Sequence, residues 1–261
     1  MVYPAPVDLE IFALILAVGL SSTFMVAKGL RLHPKKIDFA YKNKESLLSI
    51  AVAVAVFGAA FGIYGFYDKV WVRTTLTADP IYVLRGAIAA ALILVPVVIA
   101  LKYSKQNHRS IGLTKVNLAK SLALGLLVSL VLVFVIGILS RFLGGGFAGF
   151  SIPMGYQFLS YIIAGLSEEI IFRGYIQTRL AAKFGSTNGI LAGAFFYAAY
   201  NFPLGFFCFS GNIVLAAVYG ALRFAPGLVY GYVFHRTQNV VSSSVVHALL
   251  VWGGLLFGLY L

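Results

Sequence analysis

Eight runs of about 20 apolar residues, each long enough to cross a bilayer as a helix, follow one another along a 261-residue chain with only short polar or Gly/Pro punctuation between them. Their approximate cores are Ile11 to Ala27, Leu47 to Tyr67, Ile81 to Leu101, Leu118 to Leu139, Tyr156 to Ile176, Gly189 to Cys208, Ile213 to Phe234 and Val240 to Tyr260. In lipid every backbone N–H and C=O must find its partner within the protein, which leaves helices and closed barrels as the only spanning structures. These runs are continuous rather than alternating, so the pattern predicts helices and argues against a barrel. The expected fold is all-α: a polytopic transmembrane helix bundle of about eight spans. Apolar residues make up 61% of the chain and charged ones 11%, and no polar interval is long enough for a soluble domain. The last two runs are separated by only His235-Arg-Thr-Gln-Asn239, which suits an antiparallel helix pair.

The formal net charge is +12, and the basic residues crowd alternate connections. Lys28, Arg31, Lys35, Lys36, Lys42 and Lys44 lie between the first and second runs; Lys102, Lys105, Arg109 and Lys115 lie between the third and fourth, with Lys120 just beyond. In the second connection Lys69 and Arg73 are offset by Asp68 and Asp79, the fourth holds Arg141 alone, and the sixth holds no charge. That is the distribution of a multi-pass protein of the cell membrane. It predicts the first and third loops in the cytoplasm, together with the Arg179/Lys183 and Arg236 turns, and both termini outside. The basic excess is thereby explained without nucleic acid. Membrane lipids are the expected partners, anionic headgroups attracting such loops by about 1 kcal/mol per charge. The segment Met1 to Glu10 is acidic where export signals are basic, so the first span is expected to remain. Cys208 is the one cysteine, so no intramolecular disulfide or cysteine metal cluster can form, and it reads as a packing residue. His33 and His108 read as solvated loop residues.

Glu168 and Glu169 are the only acidic residues after Asp79, and they stand side by side inside an apolar run. An ionisable group at membrane depth costs roughly 2.5 to 3.5 kcal/mol on insertion scales, so an adjacent pair points to a functional site. Arg173 is four residues beyond Glu169 on the same helical face, the spacing of a structural ion pair. Glu168 points about 100° around the helix and does not share that partner easily. Arg85 and Arg223 also lie within spans, where snorkelling to the interface is the simplest explanation.

Glu168, Glu169 and Arg173, followed by Gly174, Gln177 and Arg179, closely resemble the first motif of the intramembrane CAAX-protease and bacteriocin-processing (Abi) family. The stretch from Pro226 to Ala248 is similar to the late signature of that family: a Gly-rich helix, a basic-Thr turn, then a helix bearing His-Ala, here His247. Ser110-Ile-Gly-Leu-Thr-Lys-Val-Asn-Leu resembles the cytoplasmic lead-in common in the family. Residues 110–261 are therefore expected to form the membrane core, with the catalytic machinery in the last five spans; residues 1–109 form amino-terminal helices without family signal. Two positions depart from the pattern. The second motif, Phe-x-x-x-His, corresponds to Tyr197-Ala-Ala-Tyr-Asn201, with Asn201 in place of the histidine; a shifted register would use Phe196 and put Tyr200 there, but Pro203 downstream favours Asn201. The third, His-x-x-x-Asn, reads His247-Ala-Leu-Leu-Val251.

The resemblance implies hydrolysis of a peptide bond in a membrane-tethered, possibly prenylated, peptide or protein. Carried over residue by residue, Glu168 is the candidate base and Glu169 its partner in the catalytic motif. Asn201 would hold the water, His247 would donate to the oxyanion, and Arg173 would form the structural ion pair with Glu169. An amide does not titrate, so Asn201 cannot replace a histidine as base. The family has often been described as metal-dependent, but a catalytic zinc usually has three His, Glu, Asp or Cys ligands. With the second-motif imidazole missing, no metal is expected. Two other functions stay open: a silent relative that binds peptide or lipid in an immunity, scaffolding or sorting role, and a proton- or ion-coupled transporter. The second is disfavoured because recognisable halves with paired interrupted helices are absent. The aromatics from Phe195 to Phe209 are candidates for a lipid-chain groove, although such rings more often pack between helices or anchor at the interface. The sequence does not address oligomeric state.

Overall fold

The computed structural model describes residues 9–33, 39–70, 79–142, 145–147 and 149–258, with backbone only for 9–12 and 67–70. The side chains of Lys35, Lys36, Asp68, Lys69 and Arg73, which carry part of the charge pattern, lie outside the described set, as do the first eight residues. All the regular elements are helical: α1 (Leu9–Gly29), α2 (Lys42–Val70), α3 (Pro80–Tyr103), a 3-10 turn (His108–Ile111), α4 (Leu118–Phe142), α5 (Ile152–Glu169), a π-helical segment (Ile170–Gln177), α6 (Thr178–Phe184), α7 (Ser186–Cys208), α8 (Ile213–Leu222), α9 (Phe224–Thr237) and α10 (Val240–Leu256). Among the described residues five helical stretches are long and apolar enough to cross a membrane: 42–66, 80–103, 118–142, 186–208 and 213–237, with shorter apolar helices at 13–29 and 240–256. The expected Tyr156 to Ile176 span is covered by α5 and the π segment together. The chain is a polytopic helix bundle.

The seventh run departs from a single smooth helix. It breaks at Arg223 into α8 and α9, and the cause is three residues further on. Pro226 has no N–H to return to the Leu222 carbonyl, and its ring crowds that turn. Pro203 imposes the same loss within α7. Cys208, expected to pack, instead ends α7 with its surface exposed, because the chain turns away at residues 209–212.

The carboxy-terminal helix α10 packs against α4, α5 and α9, while α7 packs against α2, α6, α8, α9 and the π segment. Small residues permit these approaches, as they do where helices meet without a hydrophobic driving force. A side chain at Gly125 would stand 2.7 Å from the Ser242 carbonyl of α10. On the same seam Ser129 Oγ donates to the Gly125 carbonyl at 2.6 Å and Ser140 Oγ to the Phe257 carbonyl at 2.5 Å.

One end of the bundle is tied by polar groups, and the lead-in Ser110 to Leu118 lies at its centre. Arg179, fully buried after the π segment, pairs with Glu45 of α2 at 3.0 Å and also donates to Gln106. A Cβ on Gly174 would sit 2.4 Å from the Ile111 carbonyl, so only glycine lets the 3-10 turn lie against the motif helix. Val240 N donates to the Gly112 carbonyl at 3.1 Å, and Asn239 Nδ2 to the Thr114 carbonyl at 2.8 Å. The α9–α10 turn is thus docked on the same loop. Glu45 belongs to the amino-terminal segment, so those helices are held to the core through a buried ion pair. Removing one partner of such a pair strands the other charge and costs about 3 to 5 kcal/mol. Glu45→Ala is expected to lower the thermal unfolding midpoint in detergent markedly, and Glu45→Ala/Arg179→Met to recover much of the loss. Equal midpoints for parent and Glu45→Ala would overturn this account.

Candidate active site

The motif helix does not stay α-helical through its own motif. Directly after Glu169 the backbone widens to π-helix for eight residues, all of them buried, before α6 resumes the tighter pitch. Such widening is uncommon and frequently marks functional sites. It carries Arg173 and Gln177 onto α9 in matched steps. Arg173 Nη2 donates to the Gly227 carbonyl at 3.0 Å, and Gln177 Nε2 to the Gly231 carbonyl at 2.9 Å. Donors four residues apart therefore meet carbonyls four residues apart. The acceptor residues are glycines because the helices touch there: a Cβ on Gly231 would meet Gln177 Oε1 at 2.9 Å, and one on Gly227 would meet Ala194 of α7 at 3.2 Å.

Glu169 is fully buried between two cationic or protonatable partners. Arg173 Nη1 lies 3.2 Å from its Oε1, and His247 Nδ1 of α10 lies 3.1 Å from the same oxygen. The Arg173 Nη1 proton is not aligned on the carboxylate as a hydrogen bond, so this contact acts as charge pairing, which is not directional. Arg173 is further flanked by the rings of Tyr197 and Tyr230, 4.6 and 5.2 Å from its guanidinium carbon. The His247 ring stacks on Tyr230 with centroids 4.6 Å apart and meets Tyr197 edge-on.

Glu168 is placed differently. Its Oε2 is 3.7 Å from His247 Nε2, too long for a hydrogen bond, and its side chain retains 13% exposure against 0% for Glu169. The sequence expectation that the two acids diverge around the helix thus becomes a division between one sealed carboxylate and one that keeps some exposure. His247 is engaged at both nitrogens, Nδ1 with Glu169 and Nε2 with the Tyr197 hydroxyl at 3.4 Å.

Asn201 does not join this cluster by any described hydrogen bond. Its Nδ2 donates to the Tyr197 carbonyl at 2.8 Å, one turn back on its own helix. Tyr200, the residue of the alternative register, lies within electrostatic reach of Glu168 and of Tyr64 of α2. Tyr64 is a neighbour of this cluster that sequence reasoning missed, since the amino-terminal helices carry no motif. Val251 is one turn beyond His247 and offers no donor. The aromatics proposed for a lipid groove divide: Phe202, Phe206 and Phe207 pack around Phe61 of α2 at 5.9 to 6.1 Å, Tyr197 and Tyr200 pack on Phe172, and Phe195 is exposed.

Residues 150–253 match the family model described as Type II CAAX prenyl endopeptidase Rce1-like. The chain carries an Rce1-like domain. No curated protein and no solved structure matches the chain. The matched segment contains α5 through most of α10, and with them Glu168, Glu169, Arg173, Asn201 and His247. The Rce1-like domain belongs to a family of proteases, and the chain around it is that of a multi-pass membrane protein.

Among the described residues no group of three or more His, Cys, Asp or Glu side chains is placed to hold a metal ion. Glu169 already faces a guanidinium at 3.2 Å, a poor neighbour for a divalent cation, and it takes up the Nδ1 side of His247. The residues present do not fit a metal centre, and no step is derived through one.

Arg173→Ala removes the charge that balances a sealed carboxylate and a hydrogen bond to α9, a loss of about 3 to 5 kcal/mol. The variant is expected to accumulate poorly in membranes and to unfold at lower temperature, whereas Glu168→Gln should accumulate like the parent. A normal yield of Arg173→Ala beside a poor yield of Glu168→Gln would reverse the two roles.

Proposed function

We propose that the protein is an intramembrane endopeptidase of the CAAX-protease type, cleaving a membrane-tethered peptide with a water activated by Glu168. The observation that carries this reading is the asymmetry of the two acids. Glu169 has a structural explanation in Arg173 and His247, while Glu168 has no hydrogen-bonding partner among the described residues and remains accessible. A carboxylate without a structural role at membrane depth is retained at a cost and points to chemistry.

Glu168 takes a proton from water as its oxygen attacks the scissile carbonyl, forming a C–O bond and a tetrahedral oxyanion. The C–N bond then breaks, and the departing amine recovers the proton from Glu168. His247, held by Glu169 at Nδ1 and stacked on Tyr230, fixes the edge of the site facing Glu168. It reaches an oxyanion through Nε2 only by giving up Tyr197. The basic loops orient the site towards the cytoplasmic half of the cell membrane, with both termini outside.

A silent relative that binds the same kind of peptide is the second reading, favoured by the Asn201 amide being used within its own helix and by Val251. The deciding experiment is cleavage of a fluorogenic farnesylated peptide by the purified protein in detergent. The parent is expected to cleave slowly and Glu168→Gln to lose at least about 10²-fold in turnover. Val251→Asn, which restores an amide one turn beyond His247, should raise turnover by up to about 10²-fold, the scale of one oxyanion donor. Cleavage undiminished in Glu168→Gln would sink the mechanism. No cleavage by the parent, with a gain in Asn201→His, would favour the silent relative.

A further inference from the structure

Arg223 is a full positive charge near the middle of an apolar span, and among the described residues no carboxylate lies close enough to balance it. At least about 15 Å of helix separates it from either end of the stretch 213–237, which removes snorkelling as an explanation. Among the described residues none of its nitrogens lies within 4.0 Å of a carboxylate. Its side chain donates once, from Nη2 to the Tyr219 hydroxyl at 2.5 Å, and the guanidinium lies over the same ring at 4.4 Å. A guanidinium carries five N–H donors in a fixed fork, so most of its capacity is uncommitted.

The backbone places this residue beside the site. Gly220 and Gly227, on either side of Arg223, both press against α7: a Cβ on Gly220 would stand 2.9 Å from the Ala198 carbonyl, and one on Gly227 would stand 3.2 Å from Tyr197. Arg223 is therefore clamped, at the α8–α9 break, beside the turn of α7 that carries Tyr197 and Asn201. From there it lies within electrostatic reach of Glu168, Tyr197 and Tyr230.

Hydrolysis at Glu168 needs a donor for the oxyanion, and the expected ones are missing or engaged. Val251 has none, the Asn201 amide nitrogen is bonded to Tyr197 O, and both His247 nitrogens face protein groups. We propose that Arg223 is the oxyanion donor of this site, its guanidinium neutralising the tetrahedral intermediate in place of the absent third-motif amide. This rests on the protease reading given above. As water attacks, the carbonyl C=O becomes C–O⁻ against the Arg223 N–H groups while the water proton passes to Glu168. When the C–N bond breaks, the carbonyl reforms and that proton leaves with the amine. Tyr219 is the positioning residue that holds the fork.

The test compares parent, Arg223→Gln and Arg223→Lys for binding of a farnesylated peptide carrying a phosphinate, which is tetrahedral and anionic, and of the matching farnesylated amide peptide. Unfolding temperatures confirm that each variant is folded, and the binding arm needs no turnover. The parent is expected to prefer the phosphinate, Arg223→Gln to lose about 10²- to 10³-fold of that preference with amide binding unchanged, and Arg223→Lys to retain part of it. In turnover the loss should fall on kcat rather than KM. An equal preference in parent and Arg223→Gln overturns the proposal, as does equal weakening of both peptides, which would make Arg223 an anchor for bound substrate. Failure of the protease reading shows separately, as Glu168→Gln turning over like the parent.

Discussion

A carboxylate with no exposure in an apolar bundle is the constraint on which the site is built. Glu169 must be balanced where it stands, and the two groups that balance it come from different elements: Arg173 from the π segment one turn along, and His247 from α10. Arg173 then reaches α9 through the Gly227 carbonyl. One acid therefore sets the mutual positions of α5, α9 and α10, and the Tyr197 and Tyr230 rings close the space around it. The charge is costly to bury and more costly to leave unpaired, so these contacts form together or not at all.

The same balance separates the roles of two adjacent and chemically identical residues. A helix turns about 100° per residue, so burying Glu169 against Arg173 leaves Glu168 facing elsewhere, beside the His247 edge and the tyrosines of α2 and α7. Widening to π-helix begins only after both acids, so this divergence is set by ordinary α-helical geometry. What the π segment adds is the reach of Arg173 and Gln177 to two successive carbonyls of α9.

Much of this was legible in the sequence because lipid leaves so few options. The apolar runs gave the helices, the rarity of acids picked out Glu168 and Glu169, and the i,i+4 spacing identified Arg173 as the partner. The break at Arg223 was readable in principle from Pro226, but an uninterrupted apolar run masks a proline that removes one hydrogen bond. Long-range polar pairing was not legible: nothing local ties Glu45 to Arg179, 134 residues away, or brings Tyr64 to Tyr200. The π segment was hidden too, since its residues are those of an ordinary amphipathic helix and tertiary hydrogen bonds choose the wider pitch.

The two eroded motif positions and the retained ones lie in different layers of the structure. Asn201 and Val251 stand at the positions where the family motif has His and Asn, and neither residue disturbs the frame: the Asn201 amide nitrogen is bonded within α7, and Val251 is an apolar residue on an apolar helix. Glu169, Arg173 and Gln177 are tied into the frame by their contacts with one another, with His247 and with α9. Glu168 and Arg223 are held less fully: Glu168 lies 3.7 Å from His247 Nε2 without a hydrogen bond, and Arg223 donates to the Tyr219 hydroxyl with no carboxylate within 4.0 Å among the described residues. Replacing either by an apolar residue would relieve the cost of burying charge, so folding alone does not explain their presence.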